Sequence, residues 1–599
     1  MIKAWRDAMA IYEEAGLAMS DANCHFILGA IFLNRANKSF PDNFPESENH
    51  LLTALEFYSS NAMRSQSADT RYMLARLYTN ATAQLKTEIH GQLLDAAMEQ
   101  LKQGEIDYDA ARREFTVGDS VLEVQIGKRS FIEKSQRIYE LALEIHGLLR
   151  PNPPEAWNWA QQAKARGLSD VLGLGSIPPT RLISQLADHP ASLALLLRER
   201  ELVDRIQKVS PEEKIRLRDS LDQLWQAMKR DDHLANYLEL RSATALDATE
   251  LSSLIRQQAS KEQPIVCIDW IAVNGQLVLL ALRANQPAQL FPLSLHQSAV
   301  SQFISSNLSA DVFRSTLRDT PEVLRELDPL IAPLSDITAS EELLIFSPTA
   351  PLHGLPLHAL ELKGKPLLER HPIVYCPSLS VLRHCLSRRR QRQQPPVVGL
   401  FGDPNGDRQA AADLVHELES LFGTTALVNS AVTRQAVSEA LSRCELVHFQ
   451  GHAIHLPQAP LDSYLALATN PALATTLDIG RSDRLSASDI FAHHSLGAEL
   501  VTLAACESGA NAIETGDEPF GLIPAFLYAG ANAVLATLWK VNQMSASETM
   551  RHFYHAYTRS NPATSKAQAL REAMLKVRDT PGYETPYHWA PFVLYGDWS

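Results

Sequence analysis

Cysteine is scarce in this chain: six in 599 residues, at Cys24, Cys267, Cys376, Cys385, Cys444 and Cys506, with no C-x-x-C pair among them. That spacing encodes neither a disulfide framework nor a zinc ribbon. Long uncharged apolar runs are also missing, so no membrane-spanning segment is expected. Basic residues are outnumbered, 55 against 69 acidic, for a formal charge of -14. The chain therefore lacks the overall field that gathers nucleic acid, and it carries no direct nucleic-acid signature. No GxxxxGK[ST] phosphate loop occurs, and no cofactor is implied. The first residues, Met1-Ile-Lys-Ala-Trp-Arg-Asp7, lack the apolar core of a signal peptide. Scattered thiols without an export signal lead to the expectation of a cytoplasmic protein. What is present is ordinary globular material, 45% apolar and 21% charged, long enough for several domains.

The first 260 or so residues read as helix almost throughout. Leu93, Ala97 and Leu101 recur at four-residue steps, the stripe of a packed helix. Leu28-Gly29-x-x-Phe32 and Leu74-Ala75-x-x-Tyr78 each place a large residue, a small one and an aromatic one turn later, and Trp5, Ala8 and Tyr12 form a looser third case. Small residues there let paired helices approach closely. The pattern resembles the first helix of a tetratricopeptide repeat. However, 46 residues separate Leu28 from Leu74, against about 34 in a regular array. The expectation is a degenerate helical-repeat domain over 1–180, with a generic helical domain as the alternative. Residues 181–262, with charge runs such as Glu199-Arg-Glu201, read as a linker or arm of solvated helices.

Beyond Gln263 the period changes. Asn274-Gly275 between two β-rich runs signals a hairpin. Afterwards short apolar runs at 343–346, 397–402, 446–449, 465–468, 500–504, 533–538 and 592–595 alternate with helical segments near 434–444, 521–530, 545–558 and 565–578. Apolar strands separated by helices predict a mainly parallel sheet covered on both faces. The arginine-rich stretch 387–396 divides this half into 263–392 and 393–599.

In such sheets reactive groups gather beyond the carboxyl ends of strands. Leu446-Val-His448-Phe-Gln450-Gly-His452-Ala453 runs a strand into a Gly-His turn, and Leu500–Ala504 delivers Ala505-Cys506-Glu507 into a turn of small residues. A thiol nucleophile needs a base, which His452 can supply. Attack on a carbonyl also needs oxyanion donors, here the N–H groups of Ala453 and Cys506. The plain alternative is a buried core cysteine and a structural histidine. A metal cluster of Cys444, His448, His452 and His455 is a weaker one, because strand geometry turns His455 away from His448 and His452.

Ordered motifs then accumulate: Ser347-Pro-Thr-Ala-Pro-Leu-His-Gly-Leu-Pro356, Gly402-Asp-Pro404, Val447-His-Phe-x-x-His452, Ala504-Ala-Cys-Glu-Ser-Gly509, Gly516-Asp-Glu518, Leu538-Trp-x-Val541 and Trp589-x-Pro-Phe592. In this order they resemble the CHAT domain, a caspase-like and separase-like cysteine peptidase module often preceded by tetratricopeptide repeats. The resemblance spans about residues 263–599. It implies a pseudo-caspase-like part over 263–392, a catalytic part over 393–599, Cys506 as nucleophile and His452 as base. It also implies an intracellular endopeptidase that cleaves a protein substrate in bacterial stress or defence signalling, switched on by a protein partner at the helical repeats. Ala453 stands where the family has glycine. Asn542 and Gln543 stand where relatives often carry the aspartates that receive a basic P1 side chain, leaving Asp403, Asp462, Glu507 and Asp517 as further pocket candidates. A P1 preference that is not strongly basic is therefore expected. A catalytically silent scaffold acting by protein–protein interaction remains the other reading.

Overall fold

The computed structural model describes residues 1–36, 40–85, 87–114, 136–171, 182–183, 186–235, 238, 245–259, 263–309, 312–389, 396–456, 459–468, 483–493, 496–505, 512–513, 519–559 and 564–599. The chain divides into two units, residues 1–178 with 182–244, and 245–599 with 179–181.

In the first unit the four-residue stripes become helices that pack in sequence-adjacent pairs: α1 (Ile2–Glu14), α2 (Ala18–Ala36), α3 (Phe40–Ser60), α4 (Arg64–Thr82) and α5 (His90–Glu114). The small residue of the Leu28-Gly29-x-x-Phe32 triplet is where two helices touch. A Cβ on Gly29 of α2 would stand 2.6 Å from the Leu51 side chain of α3, and the Ser47 hydroxyl donates to the Gly29 carbonyl at 2.8 Å. Leu28, Leu74 and Ala75 are fully buried, with Phe32 and Tyr78 close behind. Trp5, Ala8 and Tyr12 depart from this pattern: none of the residues of α1 is buried. Pro153 opens a new helix just after the turn Ile145–Leu149, as a helix-breaking proline at a first turn should.

The helices Pro190–Lys208 and Pro211–Lys229 form a hairpin around Leu202, Ile206, Leu221, Trp225 and Met228. Glu199, expected on a solvated face, is instead buried and accepts a hydrogen bond from the Trp225 indole N–H. An indole in an apolar hairpin needs an acceptor, and charge patterning alone does not show it.

Among the described residues the second unit is built on one eleven-stranded sheet. In chain order its strands are β1 (Ile265–Val273), β2 (Gln276–Arg283), β3 (Gln289–His296), β4 (Leu343–Ser347), β5 (Ile373–Tyr375), β6 (Val398–Gly402), β7 (Leu427–Val428), β8 (Leu446–Gln450), β9 (Leu500–Leu503), β10 (Ala533–Thr537) and β11 (Phe592–Gly596). Their spatial order is β3-β2-β1-β4-β5-β11-β10-β9-β8-β6-β7. Asn274 and Gly275, both at positive φ, close the β1–β2 hairpin as expected. From β1 through β4 and β5 to β11 the strands are parallel. From β10 through β9, β8 and β6 to β7 they are parallel again. The antiparallel β10–β11 pair joins these two halves. Strands β4, β8, β9, β10 and β11 are buried along their whole length, as a sheet covered on both faces requires.

Two departures from the sequence pattern have physical causes. Strand β3 contains Pro292, which cannot donate to a ladder, and it lies at the sheet edge. The run at 465–468 does not join the main sheet. Tyr464–Ala466 pairs instead with Ala453–Ile454 and Arg484–Ser486 in a separate three-stranded sheet, where Leu465 is buried and its neighbours are only half-buried.

Candidate active site

Three adjacent strands, β6, β8 and β9, end at one edge. Gln450 pairs with Gly402 and Phe449 with Leu503, so the segments that leave these strands emerge side by side.

The turn after β6 is fixed from within. A Cβ on Gly402 would stand 2.7 Å from Val415 and 2.9 Å from the Ala411 carbonyl, because the helix Gln409–Phe422 lies directly on the strand end. Asp403 follows with φ +50°. Its N–H donates to the Gln450 carbonyl at 2.9 Å and its own carbonyl accepts from Asn429 N–H at 3.2 Å. Its buried carboxylate accepts from the N–H groups of Asp407 and Arg408, each at 2.9 Å. The turn therefore presents Asp407 and Arg408 in one orientation.

Strand β8 then delivers three polar side chains to different places. His448 is fully buried against Tyr554, with Nδ1 3.0 Å from the Tyr554 hydroxyl, which in turn donates to Thr502 Oγ1 at 2.9 Å. Burial pushes the His448 imidazole down to about 4, so it is neutral at ordinary pH. Gln450 donates to Ser547 Oγ at 2.9 Å. Gly451 makes the turn, and a Cβ there would stand 2.9 Å from Pro404. His452, 31% exposed, lies with Nε2 at 3.0 and 2.9 Å from the two carboxylate oxygens of Asp407. The buried Arg408 guanidinium runs along the same ring, with Nε 3.2 Å from Nε2 and Nη2 3.3 Å from Nδ1.

Ala453 begins the small sheet, opposite Leu465. The adjacent bond runs from Ala466 N–H to the His452 carbonyl at 2.9 Å. In antiparallel alternation this makes Ala453–Leu465 a non-hydrogen-bonded pair, so the Ala453 N–H points away from the 464–466 strand. On β9 the described segment runs through Ala504, whose N–H donates to the Phe449 carbonyl at 2.9 Å, to Ala505, whose carbonyl accepts from Thr537 Oγ1 at 2.5 Å. Both alanines are buried.

Cys506, Glu507 and Asp517 lie outside the described residues. Of the other pocket candidates, Asp462 is exposed at the end of a short helical turn, Pro460–Asp462. Asn542 caps the helix Gln543–Tyr557, its Oδ1 accepting from Met544 and Ser545 N–H at 3.0 and 3.1 Å. Gln543 is that helix's first residue. The four candidate metal ligands do not converge: His448 meets Tyr554, His452 meets Asp407 and His455 Nδ1 lies 3.5 Å from Ser463 Oγ. Cys444 packs toward Gly399. Among the described residues no group of His, Cys, Asp and Glu is arranged to hold a metal ion, and no helix is long and apolar enough to cross a membrane.

The other cysteines differ in kind from a nucleophile. Cys24, Cys267, Cys385 and Cys444 are buried free thiols. Burial raises all four, Cys385 to about 12, which suppresses the reactive thiolate. Cys376 is fully buried, its Sγ 2.6 Å from the Ser378 carbonyl. Asp407 and Arg408 are the site residues that sequence reasoning missed. The only available pointer was the Gly402-Asp-Pro404 turn preceding them.

Residues 321–597 match the family model described as the CHAT domain. Human tetratricopeptide repeat protein 28 is 26% identical over 273 residues, and its mouse counterpart is 28% identical over 274. Each match takes in 38% of this chain and 11% of the relative, so the chain spans about a tenth of the length of the curated relatives it matches. Among solved structures, the Saccharomyces cerevisiae separase–securin complex aligns with a TM-score of 0.44 at 12% identity, over 99% of this chain and 53% of that one. The complex of Porphyromonas gingivalis RgpB pro- and mature domains aligns with a TM-score of 0.31 at 11% identity, over 46% of this chain and 69% of that one. Over residues 321–597 this chain is thus similar to CHAT domains, and the helical N-terminal region that precedes them fits a tetratricopeptide-like array.

Proposed function

We propose that the α/β unit is a cysteine endopeptidase with Cys506 as nucleophile, His452 as general base and the N–H groups of Ala453 and Cys506 as oxyanion donors. The observation that carries this reading is the shared strand edge. Phe449 and Leu503 are in register. From there one chain continues through Gln450 and Gly451 to a half-exposed histidine, and the other through two buried alanines to the residue bonded to Cys506. A thiolate generated there would attack a scissile carbonyl, and the Ala453 N–H, turned away from its own ladder, is available to the developing oxyanion.

Regulation by a protein partner at the helical unit is part of the same proposal. Asp407 holds Nε2 of His452 and the Arg408 guanidinium lies along both ring nitrogens, so the turn that carries these two residues sets the position of the base. A displacement of about 1 Å in the Asp403–Arg408 turn is enough to change its alignment. A protein substrate and a role in bacterial stress or defence rest on the family resemblance alone.

Peptide turnover and thermal melting of the purified chain test the assignment. Cys506→Ala is expected to abolish cleavage of fluorogenic peptides without changing the melting temperature. Residual turnover in that variant would overturn the nucleophile. A chain that binds partners but neither cleaves peptides nor reacts selectively at Cys506 with an acyloxymethylketone probe would be the silent scaffold.

A further inference from the structure

We infer that Asp407 is the positioning residue of the His452 base, and that Nδ1 is the ring nitrogen that receives the thiol proton; this inference rests on the dyad reading above. It starts from donor–acceptor bookkeeping. An ionised carboxylate only accepts hydrogen bonds. Nε2 lies within 3.0 Å of both Asp407 oxygens, so Nε2 carries the proton and donates it. In the neutral ring Nδ1 then has a bare lone pair. The Arg408 guanidinium, which only donates, lies along the ring with Nε 3.2 Å from Nε2 and Nη2 3.3 Å from Nδ1, so it does not choose between the two nitrogens. The tautomer therefore rests on the Asp407 carboxylate, whose two oxygens both face Nε2.

The chemistry follows with its protons accounted for. The Cys506 S–H bond breaks, its proton passes to Nδ1, and the electron pair stays on sulfur. Nε2–H stays on Asp407 throughout, and the resulting imidazolium is stabilised by the carboxylate beside it. Asp407 holds its position because its N–H is fixed by the buried Asp403 carboxylate, and the Asp403 backbone N–H in turn donates to the Gln450 carbonyl of β8. Asp403 thus supports the residue that orients the base.

The test uses alkylation of the full-length chain by iodoacetamide, with Cys506 modification followed by peptide mass spectrometry across pH 5 to 9. It needs neither substrate nor activator, and the buried thiols serve as internal controls. The wild type is expected to show Cys506 thiolate well below pH 8. Asp407→Asn keeps the shape but withdraws the charge, and is expected to move the labelling midpoint upward by about one pH unit and slow labelling at pH 7 about tenfold. Asp407→Glu is expected to restore most of the low-pH labelling. A merely structural role would change the amplitude or the melting temperature and leave the midpoint in place. If His452→Ala leaves the Cys506 profile unchanged, the dyad itself fails. If His452→Ala shifts the profile while Asp407→Asn does not, the dyad stands and this inference is overturned.

Discussion

His358 and His452 stand beyond the strand ends of two parallel halves of one sheet, and the cysteines Cys376 and Cys506 follow the neighbouring strands β5 and β9. In the first half everything is sealed. His358 is 2% exposed, its backbone N–H and Nδ1 both contact the Tyr375 hydroxyl, and its Nε2 donates to the Ala590 carbonyl at 3.1 Å. Cys376 is fully buried. In the second half the histidine is partly open, and its partners are a mostly exposed carboxylate and a guanidinium. The same residue type thus pins a core in one half and lies partly open in the other. Desolvation and the charge of the nearest partner make the difference, not residue identity.

The largest expected effect tests this contrast directly. His452→Ala is expected to cost about 10³-fold in peptide turnover and to leave stability within about 0.5 kcal/mol, as for a partly exposed side chain. His358→Ala is expected to do the reverse. It opens a cavity and strands the Tyr375 hydroxyl and Ala590 carbonyl, costing about 3 kcal/mol, while the fraction still folded keeps its activity. Chemical denaturation and turnover of the two variants side by side decide the matter. A His452→Ala chain that melts early yet still cleaves would erase the contrast.

A smaller effect concerns pH. Burial pushes His358 and His448 down to about 4 from an ordinary 6.5. The folded state therefore binds fewer protons than the unfolded chain between those values, and stability must rise with pH across that window. Stability from these rings is fully present above about pH 6.5 and is lost as pH falls toward 4, with a slope of up to about 1.4 kcal/mol per pH unit for each ring. Urea midpoints measured from pH 7 to 4 should fall accordingly, and His448→Gln should flatten part of the fall. A flat profile in the wild type would mean that these rings are not held neutral by the core.

How much of this was legible beforehand depends on what each feature rests on. Strands β4, β8, β9, β10 and β11 announce themselves because burial on both faces demands continuous apolar runs. The pairing of Phe449 with Leu503, which brings His452 and the Cys506 segment to one edge, follows from that same parallel order. Strand β5 has only three residues, and β3 contains a proline, so neither carries enough pattern to be read. Tyr464–Ala466 reads as a strand, but its sheet partners depend on tertiary pairing that no local signal specifies. Asp407 and Arg408 were invisible for a sharper reason. A polar pair after an Asp-Pro-Asn-Gly turn looks like any solvated turn, and its meaning arises only when β6 and β8 pair in register. Glu199 was misread in the same way, since its indole partner lies on a different helix.

The smallest expected effect separates two readings of Asn542. The family resemblance places this amide where an acid would receive a basic P1 side chain, whereas in the structure its Oδ1 accepts from Met544 and Ser545 N–H at the start of a helix. Aspartate caps a helix about as well as asparagine does, whereas alanine costs about 1 kcal/mol. Asn542→Asp should therefore melt with the wild type and Asn542→Ala slightly below it. Because a carboxylate at this position would stay bonded to the helix N-terminus, the relative turnover of Arg or Lys over Leu at P1 should change by less than about threefold. A fluorogenic peptide library measures both the wild-type preference and the change. A wild type with Arg or Lys far ahead at P1 would defeat the expectation of a pocket that is not strongly basic in preference. A large gain of basic preference in Asn542→Asp would show that the cap faces the cleft after all, and would move Asn542 from the core-pinning side of the comparison to the substrate side.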